Sequence, residues 1–123
     1  MRPVFDRVTR IGLTLPGVQA ATRYDGSPRL TVGGCFMAGL ATHESAEPDT
    51  LVVRAELDQR AWLLEDAPET YYLTDYYLRY PLVLARLSAL PDDALRDLLA
   101  MSRELTLAKA ARSRRGKINS GRQ

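Results

Sequence analysis

The hydrophobic pattern of the first fifteen residues predicts an amphipathic helix. Pro3 suits its first turn, where no main-chain N–H is needed, and Pro16-Gly17 is expected to end it, because proline disfavours helical geometry just before it. Arg7 and Arg10 are expected on the solvent side. The apolar stripe follows i, i+4, i+7 and i+11 spacing and consists of Val4, Val8, Ile11 and Leu15.

The next part of the chain has the pattern of short strands. Gly33-Gly34 allows the positive φ angles of a tight hairpin, and Gly26-Ser27-Pro28 is a second turn. Cys35–Thr42 is apolar at both alternating sets of positions, which fits either a central strand or a buried helical segment. A polar loop, 43–49, follows it. The predicted strands are Val18–Asp25, Arg29–Val32, Cys35–Thr42 and Thr50–Ala55.

A helical period returns after residue 57. Asp58 is predicted to cap a short helix, Trp62 is predicted to be an anchor in or at the edge of the core, and Pro68 ends the helix. Two further strands are expected, one in the tyrosine-rich stretch and one in the run from Leu82. A last helix opens at Pro91, with acidic residues at the positive end of its dipole.

The resulting order, α-β-β-β-β-α-β-β-α, predicts an α+β fold. It corresponds to a two-layer sandwich in which helices cover one face of an antiparallel sheet of five to six strands. The other sheet face is then partly open, and a partner could bind there.

Composition places the chain among ordinary globular domains. Its 123 residues, 46% of them hydrophobic, are enough for one domain with a single core. No apolar run approaches the length of a spanning helix and no signal peptide is indicated, so no membrane association is expected. The single Cys35 fits a reducing cytoplasm, and a lone Cys with a lone His43 predicts no metal site and no cofactor.

The net charge of +2 hides an asymmetry. Residues 1–108 carry 11 Lys and Arg against all 15 acids, whereas the segment from 109 onwards carries six cations and no acid. Such a basic segment can neutralise phosphates by counterion release, but a solvated, disordered tail is the favoured interpretation. The chain is therefore divided into a domain, residues 1–111, and a basic, flexible tail, residues 112–123.

The candidate catalytic groups are weak, and the sequence predicts no enzyme. His43 is the only imidazole and lies in a polar loop, and the apolar surroundings of Cys35 predict a buried, inert thiol. Gly33-Gly34 precedes a strand, whereas a phosphate loop precedes a helix. Glu65-Asp66 and Asp92-Asp93 have the pattern of surface and helix-end charges.

Five of the six tyrosines lie between residues 71 and 80. Aromatic rings interleaved with an arginine can stack on bases and contact phosphate, although Glu69 and Asp75 repel phosphate. Tyrosine is also a strong strand former, so packing is favoured, with base stacking and a protein-binding surface as alternatives. The tyrosines are Tyr71, Tyr72, Tyr76, Tyr77 and Tyr80, and the arginine is Arg79.

Four segments resemble the MmcQ/YjbR family of small bacterial proteins: Leu15–Val18, Tyr24–Leu40, Asp58–Pro81 and Ala89–Leu105. The resemblance implies a two-layer, double-wing α/β fold and a DNA-binding role that rests on likeness of fold. It supplies no catalytic residues. Where many members have Asn-Lys and then His-Trp, this chain has 74–77, Thr-Asp-Tyr-Tyr, so an acid replaces the lysine.

These observations predict a cytoplasmic, non-enzymatic protein that binds DNA or another nucleic acid. The alternative is a module that uses the open sheet face to bind another protein, a second copy of itself or a small ligand. The predicted nucleic-acid contacts are Arg79, Tyr76, Tyr77, Arg112, Arg114, Arg115 and Lys117.

Overall fold

A six-stranded antiparallel sheet forms the centre of the protein. The structure, a computed structural model, describes the backbone of residues 3–121 and the side chains of residues 4–113. A single 3₁₀ turn, Leu87–Ala89, precedes the last helix. In chain order the other elements are α1 (Pro3–Gly12), β1 (Val18–Thr22), β2 (Pro28–Val32), β3 (Cys35–Leu40), β4 (Thr50–Arg54), α2 (Leu57–Asp66), β5 (Tyr71–Tyr72), α3 (Asp75–Leu78), β6 (Leu82–Arg86) and α4 (Asp92–Gly121).

The sheet has the order β1-β2-β3-β4-β6-β5, and every neighbouring pair is antiparallel. Short turns join β1 to β2 and β2 to β3, whereas the loop 41–49 joins β3 to β4. Gly33 and Gly34 have φ angles of +59° and +77°, the two consecutive positive values of a type I′ hairpin. The predicted α+β class with an antiparallel sheet is confirmed.

One sheet face, the first face, carries the main hydrophobic core. α1 and α4 pack on it, and α2 adds partly buried leucines at one side. The largest fully buried side chains there include Phe5, Ile11, Leu30, Met37, Leu51, Leu95 and Leu99. The prediction of helices on one face therefore holds for these three, whereas α3 packs on the opposite side, the second face, through Tyr77.

The first helix is shorter than predicted, and Arg7 does not point to solvent. After Gly12 the chain tightens into three-residue turns, and the Thr14 hydroxyl donates to the carbonyl of Ile11 at 2.6 Å. Arg7 donates to the carbonyls of Leu87 and Leu90. It also contacts a carboxylate oxygen of α4, Asp92 Oδ1, at 2.6 Å, because α1 crosses beside the start of α4 and leaves these acceptors within reach.

Two predictions for α2 were wrong. Its N-cap residue is Glu56 rather than Asp58, whose carboxylate instead accepts from the N–H of Gln59. Trp62 is 64% exposed and is no core anchor. The helix lies at the margin of the sheet, where its partly buried residues, Leu63 and Leu64, contact the core, so the ring of Trp62 remains largely in solvent.

The tyrosine-rich stretch is not a full strand. Only Tyr71 and Tyr72 pair with β6, and Thr74 then caps α3 by accepting from the N–H of Tyr77 at 3.5 Å. A polar cap residue followed by a one-turn helix overrides the strand propensity of tyrosine. The turn returns Tyr77 to the sheet and places Tyr76 and Tyr80 at the surface.

The last helix begins at Asp92, one residue after Pro91, and its backbone continues to Gly121. It thus crosses the boundary at residues 111 and 112 that the charge pattern suggested, and the division into a domain and a flexible tail stays a prediction. None of the helices among residues 3–121 has the length and apolar composition needed to cross a membrane.

Candidate nucleic-acid interface

The second face of the sheet carries a row of residues that leads from β2 to β6. Arg29 lies opposite Gly39, Gly39 opposite Val52, and Val52 opposite Leu84. Tyr77 covers Val52 and Leu84. The loop 41–49 and α3 therefore close one part of this face, and a cavity remains where α3 meets β2 and β3.

The loop 41–49 and α3 hold each other through an aromatic cluster. The Tyr77 hydroxyl accepts from the main-chain N–H of His43 at 3.1 Å. The His43 ring is stacked on Tyr76, with centroids 3.6 Å apart and an interplanar angle of 9°. The ring centroids of Tyr80 and Tyr76 are 5.9 Å apart. Tyr77 is buried and structural, whereas Tyr76 and Tyr80 are 42% and 40% exposed and can stack on a ligand.

The space between these rings and the sheet, the aromatic cavity, has a volume of about 210 Å³. Its chemistry is aromatic and cationic, and no acidic side chain among the described residues lines it. The cavity is lined by Arg23, Pro28, Arg29, Phe36, Gly39, Leu40, Thr42, Val52, Tyr76, Tyr77, Tyr80 and Leu82.

Two arginines form the cationic wall of the aromatic cavity. Arg23 donates to Thr42 Oγ1 at 2.9 Å and lies over the ring of Tyr24, which is 95% exposed. The guanidinium carbon of Arg29 lies 6.0 Å from the ring centroid of Phe36. Arg29 Nε is buried and has no hydrogen-bond partner among the described residues, and an unpaired buried donor is unfavourable.

Gly39 makes this arrangement sterically possible. A Cβ atom at Gly39 would lie 3.0 Å from Phe36 Cε1 and 3.1 Å from Arg29 Cβ, closer than ordinary van der Waals contact. The strand pairing shifts between Leu30 and Thr31, which is a β-bulge. The bulge brings Phe36 and Gly39, three residues apart, to the same sheet face.

A second cavity of about 500 Å³, the basic cavity, lies where β4 meets α4. Arg54, Lys109 and Arg112 line it, and Glu56 is its acidic residue. Arg54 Nε donates to the main-chain oxygen of Phe36 at 3.1 Å. Since the Phe36 side chain lines the aromatic cavity, this hydrogen bond places the two cavities near each other. The cations that line them, called the cationic strip, are Arg23, Arg29, Arg54, Lys109 and Arg112.

The far end of the second face is occupied by internal contacts. Arg86 forms a bidentate pair with Glu47, at 2.8 and 2.9 Å, and lies over the Tyr72 ring at 4.3 Å. The Arg86 hydrogen bond lowers the pKa of Glu47 and raises the pKa of Arg86 itself. The Tyr72 hydroxyl lies 2.6 Å from Thr50 Oγ1. This arginine therefore stabilises the fold and is not free to hold a phosphate.

The structure brings together only part of the predicted site. Tyr76 and Tyr77 line the aromatic cavity and Arg112 lines the basic cavity. Arg79 is exposed and lines neither of them. The side chains of the remaining three predicted contacts lie outside the described residues: Arg114, Arg115 and Lys117.

Four residues that line the two cavities were missed by sequence reasoning. Their signal in the sequence was weak, because single arginines at strand ends are common and the bulge alters the alternation on which a face assignment depends. The missed residues are Arg23, Arg29, Phe36 and Arg54, whereas Lys109 was counted in the basic segment.

The remaining polar groups do not assemble a catalytic triad. The Ser45 N–H donates to His43 Nδ1 at 3.1 Å, so the neutral ring carries its proton on Nε2. Ser45 Oγ lies 2.8 Å from Nδ1 and 2.9 Å from Thr74 Oγ1, and no carboxylate among the described residues joins this network. Cys35 is a free thiol and is half-buried rather than fully buried. No group of three or more His, Cys, Asp or Glu side chains in the described part of the chain could hold a metal ion.

Compared with known proteins, the chain matches no family model, no curated protein sequence and no solved structure. The resemblance to MmcQ/YjbR proteins stays a prediction from the four segments quoted above.

Proposed function

We propose that this protein binds single-stranded nucleic acid along the cationic strip, which leads from the aromatic cavity of the second face to the basic cavity beside α4. The observation that carries the proposal is that Arg23 and Arg29, with the exposed rings of Tyr76 and Tyr80, line a cavity that no acidic side chain of the described residues lines. Arg54 lines the neighbouring basic cavity. Arginines neutralise phosphates and release counterions, and tyrosine rings stack on bases. Both interactions are available within one strip.

The shape of the strip favours a single strand over a duplex. Base faces are hidden inside a duplex, whereas an unstacked base in a single strand presents its whole π-face. Tyr76 and Tyr80 border a concave space of about 210 Å³, which a paired helix cannot enter. In the proposed complex the phosphates follow Arg54, Lys109 and Arg112, and a base enters the aromatic cavity.

A small-ligand module is the second candidate, because the aromatic cavity is a discrete concave space. Its volume lies below the roughly 300–1,000 Å³ of pockets for drug-sized ligands, so a ligand that fills it has one compact ring system. The proposed role is non-enzymatic and cytoplasmic, and DNA binding is also what the resemblance to bacterial MmcQ/YjbR proteins implies. A protein partner, or a second copy of the chain, would instead bind at the second face, where Tyr76 is exposed and Tyr77 is buried. Tyr76→Ala would then weaken that association and leave nucleic-acid affinity intact.

Fluorescence anisotropy with a labelled strand of about 12 nucleotides, and with the matching duplex, tests the proposal over a series of salt concentrations. We expect tighter binding of the single strand. Arg54→Ala should weaken it and lower the slope of log K against log salt by about 0.7, the value for one phosphate contact on a single strand. Arg96→Ala removes the same charge from an exposed position on α4 and should leave the slope unchanged.

If Arg54→Ala and Arg96→Ala lower the salt slope equally, binding depends on net charge and the proposed strip is contradicted. Binding that does not respond to salt would contradict phosphate recognition altogether. The predicted contacts of the basic segment are tested separately by the triple change of Arg114, Arg115 and Lys117 to Ala, with the same slope as the readout.

A further inference from the structure

The aromatic cavity has the dimensions of a site for one ring system. Aromatic side chains border it from two sides, Tyr76 of α3 and Tyr80 just after it on one side, and Phe36 of β3 on the other. The volume of about 210 Å³ excludes two stacked bases together with their sugars. If the protein binds a single strand, as proposed above, one base of that strand enters the cavity.

The charged groups in the wall of the cavity, the guanidinium groups of Arg23 and Arg29, are hydrogen-bond donors. Each guanidinium offers five N–H groups and no acceptor, and Thr42 Oγ1 already accepts from Arg23. The Tyr77 hydroxyl already accepts from the N–H of His43. A base that turns an edge of acceptors toward the two guanidinium groups satisfies their donors, whereas an edge with an amino group would leave those donors without an acceptor.

Arg29 has a buried N–H donor that lacks an acceptor among the described residues. Its Nε is buried and unpartnered within the described residues, although the neighbouring Arg54 Nε has an acceptor in the Phe36 carbonyl. A guanidinium approached from its side donates through Nε and one terminal nitrogen, and this fork matches two adjacent acceptors. Guanine presents such a pair, O6 and N7, on one edge.

We infer that the aromatic cavity is a guanine site, in which Arg29 donates to O6 and N7 and Tyr76 or Tyr80 contacts the base face. Because Arg29 Nε is covered by neighbouring side chains, binding requires its guanidinium to turn from its position over Phe36. The Arg23 guanidinium at the rim is then placed to contact a phosphate attached to the base. A guanine within a strand and the guanine of a free nucleotide share this chemistry.

The test compares oligothymidylates of about 12 nucleotides that differ at one central position: thymine, adenine, guanine or 7-deazaguanine, which lacks the N7 acceptor. Free GMP is a further ligand. We expect the guanine oligonucleotide to bind roughly tenfold more tightly than the thymine one, and 7-deazaguanine to lose most of that preference. The ¹⁵Nε resonance of Arg29 should shift with the guanine oligonucleotide and much less with the thymine one.

Arg29→Lys is the matched variant, because it keeps the charge and removes the fork. It should abolish the guanine preference while the affinity for oligothymidylate and its salt slope stay near those of the wild type. Circular dichroism and thermal unfolding establish that the variant is folded. Retention of the guanine preference in Arg29→Lys would overturn the assignment of Arg29.

The outcomes separate this inference from the proposed function. Equal, salt-dependent binding of all four oligonucleotides, or preference for another base, overturns the guanine site and leaves single-strand binding intact. Binding of GMP without binding of any oligonucleotide supports the guanine site and overturns single-strand binding. Failure of every ligand to bind overturns both.

Discussion

The hydroxyl of Ser102 donates a hydrogen bond of 2.7 Å to the main-chain carbonyl of Met37. Met37 has no partner in the pairing between β2 and β3, because the register shifts at the bulge. Its carbonyl therefore accepts no hydrogen bond within this strand pair, and Ser102 of α4 supplies the donor. Ser102 is completely buried, so this bond joins the helix layer to the bulge that shapes the aromatic cavity.

Ser102→Ala is expected to destabilise the protein by about 1–3 kcal/mol, because it leaves a buried carbonyl without a donor. Urea unfolding followed by circular dichroism measures the change. Ser88→Ala, at an exposed position, removes the same group and should change stability by less than about 0.5 kcal/mol. Equal effects of the two substitutions would show that the Met37 carbonyl does not depend on Ser102.

Arg7→Ala is expected to loosen the contact between α1 and the start of α4. It removes the donors to the Leu87 and Leu90 carbonyls and the partner of Asp92. The side chain is 28% exposed, so water replaces part of what is lost and the expected cost is about 1–2 kcal/mol. Chemical unfolding is the measurement.

Arg10→Ala is the control for Arg7→Ala, since Arg10 lies on the same helix with 66% of its side chain exposed. One of its terminal nitrogens lies 4.0 Å from Asp92 Oδ2. Its loss should cost less than about 0.5 kcal/mol. A larger loss for Arg10→Ala than for Arg7→Ala would contradict the role given to Arg7.

The ion pair of Glu47 and Arg86 predicts that part of the free energy of unfolding depends on pH. The Arg86 hydrogen bond lowers the pKa of Glu47 in the folded protein. The stabilisation is therefore complete above the pKa that the glutamate has in the unfolded chain, and it is lost as the pH falls through the lower, folded value. Thermal unfolding of wild type and Glu47→Gln should differ at neutral pH and converge in strong acid.

Glu44→Gln makes the same chemical change in the same loop, at an exposed residue without an ion pair in the described part of the chain. Its melting temperature should follow that of the wild type at every pH. A constant difference between wild type and Glu47→Gln from neutral to acid pH would rule out the ion pair as the cause.

The structure brings part of the predicted candidate site together and adds residues that the sequence prediction did not include. Tyr76 and Tyr77 were identified because a cluster of tyrosines is visible in any linear scan, and Arg112 because it belongs to a basic segment. Arg29 and Arg54 are single charges in strand-like segments, and they become neighbours of the tyrosines only when β2, β3 and β4 lie side by side. Whether the site binds nucleic acid stays a proposal.

The sequence by itself determined the α+β class, most of the elements and the hairpin of β2 and β3, because these depend on local properties. Apolar spacing places a helix or strand against a core, and two consecutive glycines allow the positive φ angles of Gly33 and Gly34. These effects act within a few residues, so they can be recognised before the chain is folded.

Only the tertiary structure decided which side chains meet. The bulge brings Phe36 and Gly39 to one face against strict alternation, the α3 turn splits the tyrosine stretch, and the marginal position of α2 leaves Trp62 exposed. Arg7 donates to Leu87, Leu90 and Asp92, which lie 80 to 85 residues away in sequence. Apart from the local cap at Thr74, these outcomes depend on contacts between distant segments, which override local propensity because burial and hydrogen bonding across the fold are the larger energies.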